Sequence, residues 1–169
     1  MPDPSRSLSY YFYTIITIFM GELVRTNARN RDFLALVALL DADLAFRDGA
    51  EHDFYSQFNK VDDSYQVVLI LYEDMPAACG GLKELSKGVA EIKRMYVLPE
   101  FRGKGLASRV LEELERWASE LGFEKCVLET GKKQPEAIGL YRKSGYRVIP
   151  NYGQYQGIDN SLCFEKSLL

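Results

Sequence analysis

A glycine-rich turn joins a strand-like run to a strongly amphipathic helix, and few folds accommodate such a junction. The run is Ala90-Glu91-Ile92-Lys93-Arg94-Met95-Tyr96-Val97-Leu98, closed by Pro99-Glu100, and the turn is Arg102-Gly103-Lys104-Gly105-Leu106-Ala107. Downstream, Leu106, Val110, Leu111, Leu114, Trp117, Ala118 and Leu121 recur at helical spacing. Glu112, Glu113, Glu115, Arg116 and Glu120 mark the opposite, solvent-facing side. Two glycines and a small residue leave the backbone at the helix start open to close approach. The first N–H groups of a helix lack intrahelical partners and carry a positive partial charge. Arg102 and Lys104 are unfavourable beside them unless an anion is bound, most simply a phosphate or pyrophosphate.

Two familiar phosphate binders fit poorly. No Gly-x-x-x-x-Gly-Lys-Ser/Thr string occurs, which excludes a P-loop. A dinucleotide fingerprint could open at Gly103-Lys104-Gly105, with Glu129 ending the next strand as a ribose ligand. Its third small position would be Ser108, however, and four residues separate Leu98 from Gly103 where a tight turn is expected.

The pattern Arg102-x-x-Gly105-x-Ala107 resembles the coenzyme A pyrophosphate loop of the GCN5-related N-acetyltransferase (GNAT) superfamily. The run Glu91 to Val97, with Pro99 to Arg102, is similar to that family's fourth strand entering the loop. Gln134-Pro135-Glu136-Ala137-Ile138-Gly139-Leu140-Tyr141-Arg142-Lys143-Ser144-Gly145-Tyr146 is similar to its second conserved block. The resemblance runs from about Gly21 to the C-terminus and is strongest from Ala90 to Tyr146. It implies an acetyl-CoA-dependent N-acetyltransferase in which the amine attacks the thioester directly, without an acyl-enzyme. It also implies a small-molecule or peptide amine acceptor and a homodimer as one assembly. An acyl-CoA-binding regulatory module without turnover is the alternative.

The resemblance also implies roles for individual residues. Glu91 becomes the general base, since an ammonium has no lone pair until a proton is removed. Tyr141 becomes the acid that protonates the departing thiolate, or a donor that hydrogen-bonds its sulfur. Backbone groups of Met95, Tyr96 and Val97 would hold the pantetheine and polarise the acetyl carbonyl. Arg102, Gly103, Lys104, Gly105, Leu106, Ala107 and Ser108 would form the pyrophosphate loop. Gln134 stands where the family often carries Asn; it would contact pantetheine or cap the following helix, for which Gln is the poorer residue. Two polar-aromatic clusters, His52, Tyr55 and Gln57 with Asn59, and Tyr152 and Tyr155 with Asn151 and Gln154, fall in segments that frame the acceptor pocket.

Bulk properties agree with one enzyme domain. The 169-residue chain is 47% hydrophobic and carries a formal charge of −3 with dispersed Lys and Arg, so a nucleic-acid-binding stripe is not expected. One histidine and three scattered cysteines, Cys79, Cys126 and Cys163, offer no zinc set; they read as reduced thiols in a cytoplasmic protein. Tyr10 to Phe19 is an apolar run too short to span a bilayer, so no membrane partner is expected. Residues 1–19 read as a dispensable extension, with the domain covering 20–169.

Periodicity and turn signals predict strands at Glu22–Thr26, Val67–Tyr72, Ala77–Leu85, Val89–Leu98, Lys125–Thr130, Tyr146–Ile149 and Ser161–Lys166. Helices are expected after Asn30, over Glu51–Asn59, from Leu106 to Gly122 and from Pro135 to Gly145, with a turn at Asp74-Met75-Pro76. The order β, α, α, β, β, β, α, β, α, β, β indicates an α/β domain with a mixed, mostly antiparallel sheet flanked by helices.

Overall fold

Residues 67 to 70 show how the layers are set. Val67 and Leu69 point to one face of their strand and Val68 and Ile70 to the other, and all four are buried. A strand apolar on both faces must be central and covered on both sides. The computed structural model describes residues 21–169, so the expected extension over 1–19 and the domain start at Met20 lie outside the described residues.

Strand β1 (Glu22–Asn27) is followed by helix α1 (Arg31–Asp48), a short helix α2 (His52–Ser56) and strands β2 (Gln66–Tyr72), β3 (Met75–Ser86) and β4 (Val89–Val97). Helix α3 (Leu106–Glu120), β5 (Lys125–Gly131), α4 (Pro135–Lys143), β6 (Arg147–Ile149) and β7 (Ser161–Ser167) complete the chain. The sheet order is β1-β2-β3-β4-β5-β7-β6, and among the described strands only the β4–β5 pairing is parallel. The mixed sheet and the element order agree with the sequence reading.

Helix α1 packs on one face, where Phe33, Leu36 and Val37 meet Tyr65, Val67, Leu69 and Cys79. Asn30 starts it as expected, its side chain accepting from the N–H groups of Asp32 and Phe33 at 2.9 and 3.1 Å. Helices α3 and α4 cover the other face, with Val110, Leu111, Leu114, Tyr141 and Tyr146 packed on Val68, Ile70, Leu82 and Ile92. Among the described residues no helix is long and apolar enough to cross a membrane.

Four local expectations are corrected. The β2–β3 turn pivots on Glu73 and Asp74, both at positive φ, and Met75 and Pro76 already belong to β3. The second helical piece is shorter than Glu51–Asn59, because Gly49–Glu51 forms a separate tight turn before α2. On α3, Glu113 and Glu115 are buried rather than solvent-facing: Arg25 reaches Glu113 at 2.6 Å and Lys166 reaches Glu115 at 2.6 Å. Leu121, assigned to the apolar stripe, is half exposed because α3 ends at Glu120.

Candidate active site

Strands β4 and β5 pair over a short ladder and then part. Val89, Ala90 and Glu91 sit opposite Lys125, Cys126 and Val127, and no further rung follows, although both strands continue. The gap opens a cavity of about 330 Å³, lined by β4 from Glu91 to Val97, by Glu129 to Gly131 of β5, and by the loop before α3.

A bulge shapes the β4 side. Cys79 faces Tyr96 and Gly81 faces Lys93, so Gly80 opposes both Arg94 and Met95. Arg94 takes φ +58°, a conformation uncommon for a side-chain-bearing residue. The extra residue shifts the phase of the strand. Ala90 and Ile92 face the α3 layer before the bulge, and Met95 and Val97 face it afterwards. The Arg94 side chain is buried and held by Asp41 at 2.7 Å and by the Asn59 carbonyl at 3.1 Å. Gly80 makes the bulge sterically tolerable, because a Cβ there would run into Met95 and lie within 2.9 Å of Val110 and Leu114.

The loop that leads into α3 has the form expected of an anion cradle. Gly103 and Gly105 take φ +75° and +77°, and a Cβ on either would meet nothing within 4 Å. Gly105 is the N-cap, no side chain caps the helix, and its first turn holds no acidic residue. The first N–H groups of α3 are therefore left for an external acceptor. Arg102, Gly103, Gly105, Leu106, Ala107 and Ser108 line the cavity. Arg102 donates from Nε to the Val97 carbonyl at 3.1 Å and lies 3.7 Å from Asp43. Lys104 is placed differently: it is not among the lining residues, and its ammonium stacks 4.9 Å from the Phe101 ring centroid.

The far end of the cavity is polar. Glu91 is buried, accepts a hydrogen bond from the Tyr152 hydroxyl at 2.9 Å, and faces Lys93 Nζ at 3.5 Å. Lys93 donates to the Tyr155 hydroxyl at 3.2 Å, and burial lowers its pKa. Glu129 accepts from Ser161 Oγ at 2.7 Å, and that hydroxyl lies 3.1 Å from Tyr55 OH. Burial pushes the Glu129 carboxyl up to about 7, against the opposing effects of Ser161 and Lys93.

Tyr141 lines the cavity from α4, its ring packed against Tyr146 and Phe164. Burial raises its pKa, so the phenol stays protonated. Gln134 also lines the cavity, and its side chain makes no cap bond to α4. Of the expected acceptor residues, Tyr55 and Tyr155 line the cavity and Tyr152 reaches it through Glu91, whereas Gln57 is exposed and His52 lies behind Asp48. Burial raises the thiols of Cys79 and Cys126 to about 12 and that of Cys163 to about 11, so none supplies a thiolate nucleophile near neutral pH. Among the described residues no group of three or more His, Cys, Asp or Glu side chains could hold a metal.

Lys93, Asp48 and Asp43 are among the lining residues that sequence reasoning passed over, and Glu129 entered it only as a ribose ligand of the disfavoured dinucleotide reading. A signal existed for Glu129: it is the lone carboxylate inside an apolar strand, near that strand's carboxyl end.

A splayed parallel pair, a bulged fourth strand and an uncapped glycine-led helix thus surround one cavity in an α/β domain. The acetyltransferase (GNAT) family matches residues 33–146, and the chain belongs to that family. It is 35% identical over 100 residues to the uncharacterized N-acetyltransferase YjgM of Escherichia coli, a stretch covering 57% of this chain and 59% of that one. The chain thus spans about 60% of the length of curated relatives such as this. A Klebsiella pneumoniae crystal structure assigned as an acyl-CoA N-acyltransferase superposes with TM-score 0.74 at 28% identity, covering 89% of this chain and 99% of that one. A phosphinothricin acetyltransferase from Sinorhizobium meliloti, in complex with acetyl-CoA, shares the fold with TM-score 0.62 at 18% identity, over 87% and 88% of the two chains.

Proposed function

We propose that this protein transfers the acetyl group of acetyl-CoA to an amine, with Glu129 as the general base and Tyr141 as the general acid. The observation that carries the base is the placement of Glu129: a cavity-lining carboxyl with its pKa pushed up to about 7. A base with that affinity for a proton can accept one from an ammonium and release it to solvent. Glu91, the base implied by family resemblance, is committed to Tyr152 and Lys93 and serves better as a fixed counter-charge.

In this reading the first turn of α3 and the Gly103–Gly105 loop hold the pyrophosphate. The main chain of Met95, Tyr96 and Val97, which has no ladder partner on β5, pairs with the pantetheine amides and acetyl carbonyl. Arg102 then exchanges its bond to the Val97 carbonyl for the incoming ligand. The ammonium loses a proton to Glu129, which passes it to solvent, and the freed lone pair attacks the thioester carbon; Glu129 takes the second nitrogen proton as the tetrahedral intermediate collapses. A C–N bond forms and the C–S bond breaks. Tyr141 gives its proton to the leaving sulfur and regains one from solvent.

The test is a calorimetric titration with acetyl-CoA followed by a coenzyme-release assay over monoamines, diamines, amino acids and peptides. Binding that is lost in a folded Gly105→Val protein, together with release dependent on one amine class, is the expected result. Unchanged affinity in that variant would remove the loop assignment. Binding without release for every amine would favour the regulatory-module alternative.

A further inference from the structure

Asp48 closes helix α1 and lines the same cavity, yet its carboxylate has no cation at hydrogen-bond distance among the described residues. It is 6% exposed. The nearest basic side chain is His52, whose Nδ1 lies 3.9 Å away and is itself buried without a hydrogen-bond partner. Lys133 is close, but its ammonium is engaged by Glu51 at 3.0 Å and by the main-chain carbonyl of Asp48 at 3.5 Å. Burial raises the Asp48 pKa, and His52 and Lys133 only partly oppose this. A buried carboxylate whose basic neighbours stand beyond hydrogen-bond distance is costly, and the C-terminal end of a helix adds negative potential to it.

The other charges at this end of the cavity are already paired. Lys93 is held by Glu91 and Tyr155, and Arg94 by Asp41 and the Asn59 carbonyl. Asp43, further toward the coenzyme loop, has Arg47 and Arg102 beside it. The least compensated carboxyls are Asp48, with His52 at 3.9 Å, and Glu129, which is held by the Ser161 hydroxyl and by no ion pair among the described residues; the charge of Asp48 contributes to the raised pKa of Glu129, which places both in one electrostatic compartment.

Resting on the acetyltransferase reading, we propose that the acceptor is an aliphatic diamine or related polyamine, whose reacting amine meets Glu129 while its second ammonium pairs with Asp48. A monoamine leaves Asp48 unpaired. An amino acid brings a carboxylate among Asp48, Glu91 and Glu129, where the described residues offer it no cation that is not already engaged.

The experiment compares kcat/KM for putrescine, butylamine and γ-aminobutyrate with the full chain and acetyl-CoA. Putrescine should exceed butylamine by about tenfold or more, the scale of one charge-assisted hydrogen bond. γ-Aminobutyrate should fall below butylamine. In Asp48→Asn the putrescine-to-butylamine ratio should collapse toward one. Equal values for putrescine and butylamine in the unmodified protein, a preference for γ-aminobutyrate, or a ratio unchanged by Asp48→Asn would each overturn the proposal. So would the absence of turnover with all three when acetyl-CoA binds normally. Failure to bind acetyl-CoA would instead overturn the acetyltransferase reading itself. The ratio in the unmodified protein decides the matter even if the variant does not fold.

Discussion

Ser161 Oγ donates to Glu129 Oε1 at 2.7 Å, so a hydroxyl at the start of β7 sets the orientation and acidity of a carboxyl on the neighbouring β5. Tyr55 of α2 stands 3.1 Å behind that hydroxyl. Three separate elements therefore converge on one proton-accepting group.

The first prediction concerns this group as a base. Glu129 must be deprotonated to act, so kcat/KM should rise with pH through an apparent value of about 7. Glu129→Gln should remove that limb and lower the rate by roughly 10²–10⁴-fold. Ser161 holds the pKa down, so Ser161→Ala should move the limb to higher pH. A pH–rate profile of the three proteins with one acceptor checks it; a limb that persists in Glu129→Gln would assign the base elsewhere.

The same group predicts a stability effect. Its pKa is raised from 4.5 to about 7 in the folded state, so the folded chain holds a proton that the unfolded chain has lost. The resulting penalty is absent at low pH, grows between those two values and is complete above the upper one. At about 1.4 kcal/mol per unit, it is on the order of 3 kcal/mol. Glu129→Gln should therefore melt higher than the unmodified protein at pH 8 and nearly level with it at pH 4. Thermal denaturation across that range measures the difference.

Tyr141→Phe keeps a ring that packs on Tyr146 and Phe164, so the melting temperature should change little. Turnover should fall by roughly 10²–10⁴-fold if the hydroxyl protonates the leaving thiolate. Acetyl-CoA affinity, carried mainly by the loop and strand backbone, should change much less. Single-turnover rates read beside calorimetric affinity separate the two, and an unaffected single-turnover rate would return Tyr141 to a packing role.

Gly80→Ala tests the bulge. The added methyl runs into Met95 and crowds Val110 and Leu114 inside the α3 layer. Overpacking of this kind costs about 1–3 kcal/mol. Because Gly80 faces Arg94 and Met95 across the ladder, the displacement falls on the strand segment assigned to the coenzyme. Acetyl-CoA affinity should therefore drop along with stability. Chemical denaturation and calorimetry on the same preparation check both effects.

The order of elements was legible because period-2 and period-3.6 patterns are local, and the Arg102–Ala107 loop was legible for the same reason. Glu113 and Glu115 were misread because their environment is set by Arg25 and Lys166, which are distant in sequence. Glu129 stood out as a lone carboxylate in an apolar strand, but what it faces depends on the parting of β4 from β5, a property of strand pairing that no short motif encodes. The bulge was invisible for a different reason: an arginine at positive φ carries no turn signature, and tertiary partners on Asp41 and Asn59 hold it there. Asp48 carried no local signal, because its significance lies in having, among the described residues, no basic side chain nearer than His52 at 3.9 Å.

The short ladder between β4 and β5 also bears on how the molecule comes apart. Three rungs, Val89 to Glu91 against Lys125 to Val127, join the sheet of β1 to β4 to that of β5 to β7. A ligand whose amides continue those rungs acts as a guest strand, and its removal leaves the two half-sheets less firmly coupled. Local opening should then begin at this seam, so amide exchange along Ile92–Val97 should slow on coenzyme binding while β2, enclosed on both faces, stays protected throughout. A co-substrate bound in the proposed way would in that sense be a removable part of the fold.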